Sequence, residues 1–328
     1  MVIKYCISVL HPLSFLLHPV LCLLYTADVP NIIQKHGLVS HSYVDDSSIY
    51  LHLDPASCCT QLPIITACID DISSWMFSNR LKINMDEIQF IWLGSPLQLA
   101  KLNIRTITLA DVDIEVSDEV TCLSVVLDST LTFAANVKKR VGSCFYQLQQ
   151  LRAVRRTPSA LITTRVDYCN SVHVLYGVTT TNLRPLQSII NAAARLITGK
   201  RKFDHITDTL VDVHWLPVRQ RIQFKLCSLV SKCQRRTAPS YLADMCISVS
   251  VMSAWSHLSV FCHSLWPRRS ADSPGPLWAS CSFAVSGPAT WNSLPPNVRD
   301  MSLSAASFFN QLKTELFIRS WHLRDSVL

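Results

Sequence analysis

The chain has no Cys-x-x-Cys pair and no Cys/His block at zinc-ligand spacing, although it carries 13 cysteines in 328 residues. A structural zinc module is therefore excluded, and Cys58-Cys59 and Cys227…Cys233 do not form a metal site. An odd number of cysteines scattered through helix-like segments instead predicts reduced, buried thiols without disulfides, as in a cytoplasmic or nuclear protein. Internal repeats and low-complexity tracts are also lacking. Charge is missing altogether from residues 5–27, an apolar stretch long enough to cross a bilayer and capable of passing for a signal anchor. His11, Pro12, His18 and Pro19 interrupt it and no small-residue cleavage site follows, so insertion in a membrane is disfavoured. Acid is scarce early on: Asp28 is the one carboxylate before Asp45, and its place after an apolar stretch predicts a helix cap.

What is present is an apolar fraction of 49%, enough for a sizeable core, and an uneven charge. Residues 1–137 hold six Lys/Arg and 14 Asp/Glu, residues 138–236 hold 18 and four, and residues 237–328 hold six and five. A middle third this basic has the electrostatic footprint of a phosphate-binding surface.

Within the acidic third, Tyr43-Val44-Asp45-Asp46 lies between His41–Tyr43 and Ser47–Leu51, two short alternating segments that predict a β-hairpin over 38–52 with both carboxylates in its turn. Two carboxylates on a stiff hairpin are hard oxygen ligands of the kind that hold Mg²⁺ for phosphoryl transfer. Asp also favours turns for conformational reasons alone. Downstream, Leu62, Ile65, Ile69, Ile72 and Met76 recur at helical spacing and predict an amphipathic helix over 58–79, with Asp70 and Asp71 on its solvated face. Segments 89–93, 106–109, 112–116 and 122–127 are expected strands. The outcome is an α/β (α+β) unit with a small antiparallel sheet and helices on one face.

In the basic third, Val137, Val141, Cys144, Phe145, Leu148 and Leu151 mark one helix, with Lys138, Lys139, Arg140, Arg152, Arg155 and Arg156 towards its ends. Leu183, Leu186, Ile189, Ile190, Ala193 and Ile197 mark a second, stopped by Gly199, and residues 218–234 form a third after Pro217. Lys200-Arg201-Lys202, just past a helix end, is the foremost phosphate-contact candidate, with Lys138, Lys139, Arg140, Arg219 and Arg221 beside it. Ordinary solubilising cations would give the same pattern. In the last third, residues 267–276 are a Ser/Pro-rich loop, Trp291 is a core anchor, and Ala305 to Phe317 is an amphipathic helix whose aromatics pack inward.

Many blocks of the sequence resemble non-LTR (LINE-type) retrotransposon reverse transcriptases of the chicken-repeat and jockey-like branch, in order and from about Leu23 onward. They include Leu24-Tyr25-Thr26-Ala27-Asp28, His36-Gly37-Leu38, and His41-Ser42-Tyr43-Val44-Asp45-Asp46, where Ala is usual at the Val44 position. Further on come Ser74-Trp75-Met76, Leu81-Lys82-Ile83-Asn84, Asp167-Tyr168-Cys169-Asn170-Ser171, Asn191-Ala192-Ala193-Ala194-Arg195-Leu196-Ile197-Thr198, Lys202-Phe203-Asp204-His205-Ile206-Thr207, His214-Trp215-Leu216-Pro217-Val218-Arg219 and Trp291-Asn292-Ser293-Leu294-Pro295-Pro296. The resemblance implies a partial palm over 1–137, a thumb-like helical region over 138–236 that grips RNA or an RNA–DNA duplex, and a mixed segment over 237–328. It further implies Asp45 and Asp46 as ligands of catalytic Mg²⁺ in an RNA-directed DNA polymerase, with no small-molecule cofactor.

The same comparison argues against activity. In the family a further metal-binding Asp lies on a palm strand several dozen residues before the hairpin, preceded by the fingers, and these 328 residues hold neither. Cys6-Ile7 stands where the family has Gln-Gly, His11 replaces a further Gly, Glu87 replaces a Lys near the incoming triphosphate, and Ser124 replaces the Gly of a primer-grip Leu-Gly-Val. The expectation is a truncated, catalytically inert remnant that does not bind Mg²⁺ productively, whose hairpin lacks a pairing strand and leaves an open sheet edge. The alternatives are a nucleic-acid-binding protein that works through the basic helices alone, and a non-functional or membrane-anchored transposon-derived product.

Overall fold

The computed structural model describes residues 2–8, 18–44, 46–109, 112–150, 175–248, 260–261 and 283–325. Asp45, Arg152, Arg155, Arg156, the Asp167–Ser171 block and the 267–276 loop lie outside them. The chain is a mixture of helices and small antiparallel sheets, an α+β protein. It divides into two compact units, Met1–Leu131 and Thr132–Leu328.

In the first unit the central strand is β1 (Val2–Ser8). On one edge it pairs with β3 (Asp46–Tyr50), which pairs in turn with β2 (Val39–Tyr43). On the other edge it pairs with β4 (Lys82–Ile83) and β5 (Gln89–Ile91), all antiparallel. This corrects the expectation of an unpaired hairpin. Val2, Ile3 and Ile7 favour extended backbone, and the strand they help form, which also contains Lys4, satisfies the free edge of β3. Among the described residues the outermost strand on the hairpin side is β2, where Val39 and Tyr43 are both more than half exposed.

Three helices accompany the sheet: α1 (His18–Tyr25), α2 (Val29–Lys35) and α3 (Cys58–Ser78). Asp28 holds the N-cap position of α2, as expected, but its side chain makes no capping hydrogen bond. The start of α3 is prepared by a short 3₁₀ turn, Pro55–Ser57, in which the Asp54 carboxylate accepts the Ala56 N–H at 3.1 Å. Ile65, Cys68, Ile69, Ile72 and Met76 of α3 are buried in one cluster with Ile32 and Ile33 of α2 and Ile49 and Phe90 of the sheet. Each such side chain gains about 1.5–3 kcal/mol from burial, and Ile72→Ala would cost about 2–5 kcal/mol. Beyond α4 (Pro96–Leu99), β6 (Thr106–Leu109) and β7 (Val112–Glu115) form a hairpin that adds Ile107 and Leu109 to the cluster.

The single strand expected over 122–127 is also corrected. It is a second hairpin, β8 (Glu119–Cys122) and β9 (Val125–Asp128), turned through Leu123 and Ser124 at φ of 45° and 66°. A two-residue turn with both φ values positive matches the twist of paired strands, and glycine is the residue that adopts it freely. Neither Leu123 nor Ser124 is a residue that announces such a turn, so the sequence carried no turn signal here.

The second unit is built round α8 (Val218–Gln234), against which α6 (Thr180–Thr198), α9 (Ser240–Ala243), α10 (Phe283–Asn292) and α11 (Ala305–Asp325) all pack. The helices of residues 283–325 therefore share a body with the basic region. Ile222, Leu226, Cys227 and Val230 of α8 are buried. At Gly287 of α10 an added Cβ would lie 2.8 Å from the Phe283 ring and 3.1 Å from Val230 Cγ2, so the close approach of α10 to α8 requires glycine. Trp291 is 1% exposed and packs 5.6 Å, ring to ring, from Phe308, with Leu312 and Leu316 continuing the same face of α11. Gln187 of α6 accepts the Val218 N–H at 2.9 Å, which satisfies an otherwise orphaned donor at the start of α8 behind Pro217. Two further helices, α5 (Ala134–Gln150) and α7 (Thr207–Asp212), pack on α6, and β10 (Ile247–Ser248) pairs with β11 (Val260–Phe261).

Candidate functional site: the Asp hairpin and a basic turn

The hairpin register pairs Tyr43 with Asp46, so the connection is the two residues Val44 and Asp45. Asp46 is thus the first residue of β3 and half-buried, and Asp45 lies outside the described residues. Val44 sits at φ 59°, a left-handed conformation that a β-branched residue adopts only under strain. Its carbonyl accepts a hydrogen bond from Cys22 Sγ at 3.6 Å. The alternation expected along the second strand does not hold, because Ser47, Ser48 and Ile49 are buried in succession. Both faces of β3 are covered: Ile49 enters the core, Ser47 Oγ donates to Ser42 Oγ at 2.9 Å, and Ser48 Oγ faces Cys122 Sγ at 4.0 Å. Tyr50, on the face of Ser48, has its phenol pushed above its usual pKa by burial and by the Cys122 thiol, against a lowering hydrogen bond to Ser48. His41 packs edge-on to that ring at 5.4 Å.

Among the described residues, the donor set around Asp46 does not suit a pair of magnesium ions. Its register partners are Tyr43 on β2 and Cys6 on β1, and β1 contains no Asp or Glu. A two-ion site needs carboxylates from a second strand. Among the described residues no three His, Cys, Asp or Glu side chains come together to hold a metal. Asp70 and Asp71 are exposed on α3, and Asp71 Oδ2 lies 2.8 Å from His36 Nε2. Glu87 is exposed at the end of a 3₁₀ turn, Met85–Glu87, ahead of β5.

The basic candidates fall into two groups by what their side chains do. Lys138 and Lys139 in the second turn of α5 are exposed, and Arg140 is half-buried. Arg219 donates from Nη2 to Thr180 Oγ1 at 2.8 Å, joining α8 to α6. Arg221 is half-buried, donates from Nε to the Leu216 carbonyl at 2.8 Å and stacks over Trp215 at 5.9 Å. Both arginines thus hold local structure. Lys200, Arg201 and Lys202, by contrast, are all exposed on the turn that follows α6. That turn begins at Gly199, φ 70°, with the Lys200 N–H returning to the Arg195 carbonyl at 3.1 Å, a helix ending that glycine favours. The cations also sit at the negative end of the helix dipole.

One surface residue was given no binding role in the sequence reading. Phe203 lies inside this turn and is 91% exposed, and an aromatic within a Lys-Arg-Lys run was the available signal. A cleft of about 320 Å³ in the first unit is lined by Trp92, Leu99, Leu102, Ile104, Arg105 and Asp118, among others, and includes no residue of the β2–β3 hairpin. No helix among the described residues is long and apolar enough to cross a membrane. No family model, curated protein or solved structure matches the chain.

Proposed function

We propose that this chain descends from LINE-type reverse transcriptases and, as a 328-residue polypeptide, binds RNA or an RNA–DNA duplex through its helical unit without catalysing polymerisation. The observation that carries the binding half is the exposed turn Lys200-Arg201-Lys202, set in a stretch with 18 Lys/Arg and four Asp/Glu. Cations clustered on a turn release counterions from phosphates on contact, which gives affinity without base specificity. Lys138 and Lys139 extend the same chemistry along α5. The reading against catalysis is supported by the neighbours of Asp46, where the adjacent strand offers Cys6 rather than a carboxylate.

The test is fluorescence anisotropy with a labelled RNA–DNA hybrid over a range of salt. The triple variant Lys200→Glu, Arg201→Glu, Lys202→Glu should bind at least about tenfold more weakly, with a salt slope smaller by about 3. A triple variant that binds as well as the parent removes the proposal. Nucleotide incorporation by the purified 328-residue chain, abolished by Asp45→Asn, would overturn the non-catalytic half.

A further inference from the structure

We propose that Phe203 is a base-stacking platform for an unpaired stretch of RNA or DNA, flanked by the cations that hold its phosphates. The inference rests on the nucleic-acid reading above and goes beyond it, because phosphate contacts alone do not distinguish a duplex from a single strand. At 91% exposure Phe203 is the most exposed large apolar side chain among the described residues. The turn that carries it is held from within. Asp204 Oδ2 accepts the Arg201 N–H at 2.6 Å, the Arg201 carbonyl accepts the Asp204 N–H at 3.2 Å, and Arg195 Nη2 donates to the Asp204 carbonyl at 3.1 Å. The one carboxylate of the turn is thereby engaged with backbone, and the ring is presented outward on a constrained loop. Lys202 Nζ lies 5.6 Å from the ring centroid, so one face already attracts positive charge.

An aromatic face framed by cations is the arrangement that single-strand binders use: the ring takes the base and the cations take the backbone. A lipid surface fits less well. Between Gly199 and His205, Phe203 is the sole large apolar residue, and membrane anchoring at an interface calls for a broad apolar face.

The experiment compares the full-length parent with Phe203→Ala, Phe203→Leu and Phe203→Trp by anisotropy, using a labelled single strand of about 12 nucleotides. RNA and DNA versions of that strand, an RNA–DNA hybrid, and vesicles of phosphatidylserine and phosphatidylcholine are assayed alongside. Phe203→Ala and Phe203→Leu should each lose at least about fivefold in single-strand affinity while the hybrid is bound within about twofold of the parent, and Phe203→Trp should retain both. Equal loss on RNA and DNA supports stacking on the base, and loss on one alone identifies that strand as the ligand. Unchanged single-strand binding by Phe203→Ala, or full retention by Phe203→Leu, overturns the stacking role and leaves phosphate binding standing. A parent that binds no nucleic acid overturns both. Loss of vesicle binding in Phe203→Ala with the oligonucleotides unaffected would make the turn a lipid contact and end the proposal.

Discussion

The two units solve the problem of ending a helix in the same way but with different residues at the critical point. In the first unit α2 ends at Gly37, φ 71°, with the Leu38 N–H bonded to the Ile33 carbonyl, whereas α3 ends at Arg80, φ 59°, with the Leu81 N–H bonded to the Met76 carbonyl. In the second unit α6 ends at Gly199, while α7 and α8 end at His214, φ 54°, and Arg236, φ 55°, each followed by a return bond, Trp215 to Leu210 and Thr237 to Lys232. A non-glycine residue in this conformation costs about 1–2 kcal/mol. The first unit carries the same strain at its hairpin tips as well, at Val44, Leu123 and Ser124. Among the described residues, the helical unit carries this strain at two helix ends and at Phe133, φ 58°, just ahead of α5, whereas the sheet unit carries it at hairpin turns as well. A chain with seven glycines in 328 residues has few to place.

Experiments that sharpen this contrast run from large effects to small. Trp291→Ala and Leu312→Ala, both in the centre of the second unit, should destabilise it by about 3–5 and about 2–5 kcal/mol. Alkylation of buried thiols reports the two units separately, through Cys68 in the first and Cys227 in the second. Either variant should expose Cys227 and leave Cys68 protected, and equal exposure of both would show that the units unfold as one. Gly287→Val, which drives a side chain into Phe283 and Val230, should cost about 1–3 kcal/mol by thermal denaturation. A neutral result there would mean that α10 and α8 are not in close contact.

The same two thiols give the units different alkaline behaviour. Burial pushes Cys68 up to about 11, with Asp71 adding to the effect, and pushes Cys227 up to about 12, opposed by Arg319. Because these folded values lie above the ordinary thiol value of 9.0, the unfolded chain ionises first. The stabilising contribution is whole below pH 9 and is lost as pH rises, its decline ending near 11 for the first unit and near 12 for the second. Denaturant midpoints that do not fall above pH 9 would contradict this. At the small end, Arg80→Gly and Arg236→Gly should each stabilise by up to about 1 kcal/mol, and Ser124→Gly by a similar amount. If Ser124→Gly instead destabilises, the Leu123-Ser124 turn does not have the left-handed geometry that its strands require.

What the sequence disclosed follows the same division. Ile65, Ile69, Ile72 and Met76, or Leu186, Ile189, Ile190 and Ala193, announce helices because a helix is specified by neighbours three and four residues away. Gly199 as a stop and Trp291 as a core anchor were legible for the same local reason. The sheet was not. That β1 pairs with Asp46–Tyr50 depends on residues some forty positions apart, and the buried succession Ser47-Ser48-Ile49 reflects cover on two faces that no period within the strand records. The break at Leu123-Ser124 was hidden because the residue that normally marks such a turn is missing. Among the basic residues, charge counting could not separate Arg221, bound to the Leu216 carbonyl, from Lys200, which reaches into solvent.

The position of β1 at the middle of its sheet also dictates a timetable. During synthesis this strand lacks its β3 partner until Tyr50 has been made, and its other edge is not filled by β4 and β5 until Ile83 and then Ile91 follow. Its non-local pairings place the unit among slowly closing topologies, while the helices of residues 180–234 can form from contacts close at hand as each emerges. The ribosome-bound chain thus holds an open strand for much of the unit's synthesis, a window in which a chaperone or a neighbouring nascent chain competes with Asp46–Tyr50 for the same edge.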